Sequence, residues 1–424
     1  MIVRIHQSRI AGMVEAPASK SAMQRALALA FLHPGDTWIY KPGKSKDDLA
    51  AIGIIRSLGA ELICREDIVQ VKSTGLINGS GVIHAGESGL AARMFIPILA
   101  LSDQEWRVEG SGSLLNRPMD FFQKIFPALH VQCQFRNGFL PAILKGPLEP
   151  IDIQVDAGGS SQYLTGLLFA FGKAAKKRVT IHVSHLVSKP YIHMSLAMMR
   201  QFGYHVEEPE DDIFVIHPYQ PNKGKIEITI EGDWSGASFI LVAAALSGNG
   251  VQVKGLHRNS LQADRAIYDI LEYAGAHMEW KGDALTVQPS TGLHAFTYDA
   301  TQSPDLFPPL AALATGCAGE SVIKGIHRLA HKESDRVKTL LDVFQQMGSD
   351  ITVEEDSLVI KGGVPLRGAR LHAHGDHRIA MAVTIAALGA RGPVWLEEAE
   401  SVCKSYPDFY ADMRKLGANI IDHQ

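Results

Sequence analysis

Several short stretches of this chain combine cations with hydroxyls or carboxylates at places where helices begin. Ser19-Lys20-Ser21 is followed by Arg25, about one helical turn further on. There a phosphate can take backbone N–H groups, the Ser21 hydroxyl and both cations together. A lysine at a helix N-terminus is repelled by the dipole, so its placement points to an anionic ligand. Ser160-Ser161-Gln162 opens an apolar run over 163–171. One serine suffices as a cap, which leaves a hydroxyl and an amide for the hydroxyls and phosphate of a small polar molecule. In Lys332-Glu333-Ser334-Asp335-Arg336, a capping role for Ser334 or Asp335 leaves Lys332, Glu333 and Arg336 over. Glu333 between two cations suits proton transfer.

These stretches belong to a repeat. Helix openings recur at Ser21, Ser88, Ser161, Ser235, Asp305 and Asp376, in steps of 67, 73, 74, 70 and 71 residues. Ser, Gly and Asp are the residues that cap helix N-termini, where free N–H groups and the positive dipole end collect. A second register runs through Gly59, Leu129, Gly203, Gly275, Gly348 and Gly417, in steps of 70, 74, 72, 73 and 69, with the glycine missing at Leu129. Glycine just past a helix is the usual C-cap, because it adopts the left-handed conformation cheaply. Each unit therefore contains at least two helices with strands between them. The fold class is α/β (α+β), one supersecondary unit used six times.

A chain of 424 residues exceeds one ordinary core, and six units divide into three and three. The clearest boundary is the polar Pro/Gly stretch at 219–225, with a second crossing near 15–18. A net charge of −4 gives no general basic field, which argues against a nucleic-acid partner. Cys64, Cys133, Cys317 and Cys403 are scattered without a CxxC pair and read as reduced thiols. The N-terminus alternates like a strand and has no signal-peptide core, and the longest apolar runs are too short to span a bilayer. A cytoplasmic enzyme without a membrane partner is expected.

Two other motifs fall away. His372-Ala373-His374-Gly375-Asp376-His377 matches a metallo-hydrolase pattern, but such sites need further ligands well downstream, and His423 is the sole later histidine. Gly43-Lys44-Ser45 resembles the end of a P-loop, yet Trp38 stands where the first glycine is required.

Taken in order, the openings resemble the enolpyruvyl transferase family of 3-phosphoshikimate 1-carboxyvinyltransferases. The resemblance rests on Ser19-Lys20-Ser21 with Arg25, Gly86-Glu87-Ser88-Gly89 with Arg93, Asn116-Arg117-Pro118, Ser160-Ser161-Gln162, Ser188-Lys189-Pro190-Tyr191, Pro304-Asp305, Lys332–Arg336, Asp376-His377-Arg378 and Lys404. It implies two similar domains, each of three βαβαββ units, facing one another across a cleft. Residues 1–15 with 232–424 would form one domain and 16–231 the other, with hinge crossings near 15–18 and 221–231.

It also implies transfer of the enolpyruvyl group of phosphoenolpyruvate to the 5-hydroxyl of shikimate 3-phosphate, by a monomer acting on small molecules. Lys20, Ser21, Arg25, Ser160, Ser161, Gln162, Ser188, Tyr191, Asp305 and Lys332 would then hold shikimate 3-phosphate. Lys20, Gly89, Arg117, Gln162, Arg336, Arg378 and Lys404 would hold phosphoenolpyruvate. Asp305 would accept the hydroxyl proton, with Glu333 and Lys20 moving the other. The resemblance implies no metal and no organic cofactor, cations supplying the electrostatic stabilisation.

The chain departs from the commoner family pattern at Leu90, Met94, His193 and Arg328, none of them an implied catalytic group. Leu90 and Met94 beside Gly89 bear on glyphosate, the family's inhibitor. The related UDP-N-acetylglucosamine transferases carry a catalytic cysteine in the loop before the Arg-Pro pair, and the loop 110–117 has none. An RNA 3′-phosphate cyclase built of similar units is disfavoured by the charge balance. A non-catalytic anion binder is disfavoured by the presence of Lys20, Asp305 and Glu333.

Overall fold

The computed structural model describes every residue except Lys223, Thr291, His331 and Gln424. Lys223 falls in the expected boundary at 219–225, so that point of the crossing lies outside the described residues.

Each repeat makes one four-stranded sheet, six in all among the described residues. The unit at 81–145 shows the pattern. Gly81–His84 and Glu105–Glu109 run parallel, so the helix Gly89–Leu99 must cross over between them. A second helix, Asp120–Ile125, leads to the antiparallel strands Gln132–Arg136 and Phe139–Lys145, the latter closing on Glu105–Glu109.

Two stretches of chain complete sheets far away in sequence. Ile226–Thr229 pairs parallel with Gly35–Tyr40. Ile2–Ile5 lies between Val394–Glu397 and Ile420–His423, and Ile10–Glu15 pairs parallel with Gly248–Lys254. The chain accordingly divides into two compact bodies, Met1–Ser19 with Glu231–Gln424, and Lys20–Ile230. These bounds put 16–19 and Glu231 with the first body, unlike the sequence expectation. The backbone gives the reason. Ala16 N donates to Lys254 O at 2.9 Å, Ser19 N to Glu231 O at 2.8 Å and Asp233 N to Pro17 O at 2.7 Å.

In the first body the helices Trp234–Ser247, Phe307–Gly316 and His377–Ala387 pack against one another, and nearly all their residues are buried. In the second body Gly89–Leu99 packs on both Lys20–Leu32 and Ser161–Ala174. Gly166 sets the closeness of the latter pair, because a Cβ there would stand 2.7 Å from Arg93 O and 2.9 Å from Met94 O.

Ser88, Ser160, Asp233, Asp335 and Asp376 each cap their helix through the side chain. Asp305 does not. It lies in a 3-10 turn, Pro304–Leu306, ahead of Phe307–Gly316, and Ser303 makes no side-chain cap. The second register also needs a correction of one residue. Gly59, Gly203, Gly275, Gly348 and Gly417 all have φ between 85° and 103°, and their counterpart is His130 at φ 60°, not Leu129. The left-handed step is kept there by a histidine, a residue type that does not mark it in the sequence.

Candidate active site

The second body gathers four of the sequence motifs at the starts of its helices. Ser88 Oγ donates to Gln24 Oε1 at 3.1 Å, joining the Gly89–Leu99 helix to Lys20–Leu32. Arg93 Nη1 donates to Gln162 Oε1 at 3.0 Å and Nη2 to Pro118 O at 3.4 Å, with its guanidinium 4.8 Å over the Tyr163 ring. A Cβ on Gly89 would stand 2.7 Å from Arg117 Nη1 and 3.5 Å from Gln162 Oε1. Gly89, Arg117 and Gln162 are thus brought together, and Arg93, outside the expected ligand set, is what ties them. Arg117 is itself 5 % exposed.

Arg25 is buried in the same body. Its Nε donates to Ser195 Oγ at 2.8 Å, Nη1 to Ser21 O at 2.8 Å and Nη2 to Tyr191 O at 3.3 Å, and the Tyr191 ring lies 5.7 Å away. Ser195 is fixed in turn by Tyr191 O and Thr165 Oγ1. Burial pulls the Arg25 guanidinium down to about 10, with Tyr191 opposing. Sequence reasoning missed Ser195 and Thr165, which look like ordinary helical polar residues. Ser188 precedes its helix in the left-handed conformation at φ 52°. Ser160 is a cap, its Oγ accepting from Gln162 N at 3.3 Å, and Ser161 is buried as the first helical residue.

Lys20 is accounted for otherwise than its place in the sequence implies. Its Nζ lies 3.0 Å from Asp47 Oδ2, and both side chains are largely buried. Asp47 comes from the next helix, Lys46–Ser57, whose capping box of Ser45 and Asp48 fixes its start. An internal carboxylate therefore compensates the lysine, so its position on the helix end does not by itself point to an external anion.

The first body holds a denser network. Asp305 Oδ1 accepts from Arg336 Nη1 at 2.8 Å and Lys332 Nζ at 3.3 Å, and Oδ2 accepts from Arg378 Nη2 at 3.0 Å. Arg336 also donates to Glu333 Oε2 at 2.5 Å and through Nε to Asp376 Oδ2 at 2.8 Å. Asp376 has two tasks, since its Oδ1 accepts from Arg378 N at 3.0 Å as the helix cap. Arg336 and Asp376 are fully buried.

The charges set each other's ionisation. Burial opposes the charge on Asp305, but Arg378, Lys332 and Arg336 outweigh it and hold the carboxyl well below the usual range. Burial pulls Lys332 down to about 8, against the attraction of Asp305. Asp264, from the 3-10 turn Ala263–Arg265, is buried too, and burial reinforced by Asp305 pushes its carboxyl up to about 6. Nothing in the local sequence marks Asp264, because only the fold sets it beside Asp305. Burial lowers Arg328 while Asp305 supports its charge. Lys404 is buried at the end of the turn Ala399–Lys404, which packs along the helix carrying Arg378.

His372 and His374 point to separate carboxylates, Glu398 at 3.5 Å and Asp342 at 3.3 Å, while Asp376 is committed to Arg336. No helix among the described residues is long and apolar enough to cross a membrane.

The chain is similar to known proteins over most of its length. The family model described as EPSP synthase (3-phosphoshikimate 1-carboxyvinyltransferase) matches residues 5–413. The 3-phosphoshikimate 1-carboxyvinyltransferase of Thermococcus kodakarensis is 38% identical over 417 residues, covering 98% of this chain and 100% of its own. That of Clostridium kluyveri is 35% identical over 421 residues, covering 99% and 98%. Among solved structures, EPSP synthase from Acinetobacter baumannii superimposes with a TM-score of 0.84 over 100% of both chains, at 24% identity, which speaks for the fold.

Proposed function

The chain belongs to the EPSP synthase family, and on that premise we propose that it transfers the enolpyruvyl group of phosphoenolpyruvate to the 5-hydroxyl of shikimate 3-phosphate, releasing phosphate. The observation that carries this reading is the Asp305–Arg336–Glu333 network, with Lys332, Arg378 and Asp376 around it. Both substrates are polyanions, and a network of buried guanidinium groups can bind them by bidentate hydrogen bonds.

Lys20, Ser21, Arg25, Ser160, Ser161, Gln162, Ser188, Tyr191, Asp305 and Lys332 hold shikimate 3-phosphate. Lys20, Gly89, Arg117, Gln162, Arg336, Arg378 and Lys404 hold phosphoenolpyruvate, with Gly89 allowing close backbone approach. The reaction adds the 5-hydroxyl oxygen to C2 of phosphoenolpyruvate as its methylene carbon is protonated. The resulting tetrahedral intermediate then loses a proton from the new methyl group and expels phosphate.

In the free enzyme Asp305 is a poor base, because three cations stabilise its charge. An arriving carboxylate or phosphate competes for Arg336 and Arg378, and each guanidinium drawn off raises the basicity of Asp305. The same competition loosens Arg336 from Glu333, which then gives and retakes the methylene proton with Lys20. Arg336, Arg378 and Lys404 stabilise the phosphate as it leaves. The enzyme works as a monomer in the cytoplasm, and glyphosate competes with phosphoenolpyruvate.

Phosphate release from phosphoenolpyruvate, measured with shikimate 3-phosphate and separately with UDP-N-acetylglucosamine, tests the assignment. Release is expected with the first alone. Release with the second alone would assign the acceptor to the other enolpyruvyl transferases.

A further inference from the structure

In the second body, a β-hairpin carries a cluster that the reaction does not use. Its strands are Val206–Glu210 and Ile213–Ile216, paired antiparallel with Val206 opposite Ile216 and Glu207 opposite Val215. That register sets His205 directly opposite His217, and His217 N donates to His205 O at 3.0 Å. Directly opposed side chains emerge on one face, as does a residue two further along the strand, here Glu207. The two imidazole rings stack at 4.3 Å with their planes 14° apart. Glu207 Oε1 lies 3.1 Å from His205 Nε2 and 3.3 Å from His217 Nε2. One ligand atom from each residue falls within 4.8 Å of the others.

We propose that His205, Glu207 and His217 form a binding site for a zinc-class divalent cation. Two imidazole nitrogens and one carboxylate oxygen suit borderline metals such as Zn²⁺, whereas Mg²⁺ and Ca²⁺ take all-oxygen sets. Tetrahedral zinc with bonds of about 2.0–2.1 Å needs donor atoms roughly 3.3 Å apart. Glu207 Oε1 stands at about that spacing from each Nε2, and the two stacked rings turn about their side-chain bonds to bring both lone pairs onto the ion. Three protein donors leave the fourth position to water. Side-chain exposures of 63%, 49% and 30% for His205, Glu207 and His217 keep the site open to an ion from solvent. No rearrangement of the backbone is required, because the hairpin register already fixes both histidines.

The site also has a mechanical consequence. His205 and His217 flank the open end of the hairpin, so a shared metal clamps its two strands together. Glu208, of opposite parity to Glu207, holds Lys189 Nζ at 3.2 Å and His193 Nε2 at 3.0 Å, both on the helix Lys189–Gln201. A clamp on one face of the strand thus stiffens the support of that helix on the other.

Isothermal titration of ZnCl₂ into the full-length, metal-free protein at neutral pH tests the proposal, with Co²⁺ visible absorption as a second readout. One saturable equivalent is expected, with a tetrahedral Co²⁺ spectrum. His217→Asn and Glu207→Gln should each weaken Zn²⁺ by at least ~10-fold, the least that a lost ligand costs given the 10–100-fold effect of outer-shell partners. His185→Asn, a surface histidine outside the cluster, should leave the affinity unchanged. Circular dichroism of the metal-free variants checks the fold, and Glu207→Gln carries the test if His217→Asn fails it. Absence of saturable binding, equal affinity in Glu207→Gln, or equally tight Mg²⁺ would each overturn the site.

Discussion

Arg25 and Arg336 are both buried guanidinium groups, one in each body, and their surroundings are opposite. Arg336 meets three carboxylates, those of Asp305, Glu333 and Asp376. Burial opposes its charge, but Asp376, Glu333 and Asp305 hold it more firmly than in an ordinary arginine. Arg25 meets a hydroxyl, two backbone carbonyls and an aromatic ring, and burial pulls it down to about 10. A buried cation without a carboxylate is costly unless something anionic arrives, so Arg25 is suited to receive a charge. A cation enclosed by carboxylates is suited to exchange them, which liberates groups able to move protons. In the proposed reaction Arg25 accordingly holds an anion, while the network around Arg336 couples anion binding to proton transfer.

The sharpest test of this contrast is chemical. Glu333→Gln keeps a hydrogen-bond acceptor for Arg336 but removes the titrating oxygen, so turnover should fall by ~10²-fold or more with substrate KM values little changed. Near-normal steady-state turnover would remove Glu333 from the mechanism.

Stability should separate the two arginines next. Arg336→Met leaves three carboxylates without their shared partner and should cost ~3–5 kcal/mol, read from the urea unfolding transition. Arg25→Met strands no carboxylate, and the similar volume should hold the change under ~1.5 kcal/mol. Its KM for shikimate 3-phosphate should instead rise by ~10-fold or more, the worth of a charge-assisted hydrogen bond. A larger stability loss in Arg25→Met than in Arg336→Met would break the comparison.

Gly89→Ala probes a third arginine. The new Cβ would stand 2.7 Å from Arg117 Nη1, so the guanidinium must shift. We expect KM for phosphoenolpyruvate to rise ~10-fold, on the scale of ~1–3 kcal/mol for an overpacked site, and glyphosate inhibition to weaken in parallel. An unchanged KM would show that Arg117 moves away without loss.

The smallest effect is a pH dependence. Lys332 loses its proton at about 8 in the folded enzyme, chiefly through burial. The kcat/KM for shikimate 3-phosphate should therefore fall as pH rises through about 8, and Lys332→Met should abolish that limb. Stability moves the other way. The unfolded chain keeps the lysine proton to ~10.4, so it binds more protons than the folded state between those values, and this residue's contribution to stability grows with pH there. A kcat/KM profile that is flat around pH 8 would show Lys332 to be silent in binding.

The six repeats and their capped helix starts are legible in the sequence because they are local. Caps such as Ser88, Ser160 and Asp376 need only a side chain and the next turn of helix. The left-handed C-caps are local too, and His130 escapes a sequence reading because the conformation there is kept by a residue that does not advertise it. Asp305 misleads for the same reason in reverse, since it sits where a cap is expected but spends its carboxylate on Arg336, Arg378 and Lys332.

What the sequence determined by itself was the period, the helix starts and the presence of cations beside them. The tertiary structure alone decided the pairings. Lys20 with Asp47, Arg93 with Gln162, Arg25 with Ser195, Asp264 near Asp305, and His205 opposite His217 each join residues that no local rule connects. The physical reason is that a helix end is specified by a few neighbouring residues, whereas the charge state of a buried group depends on every element packed against it.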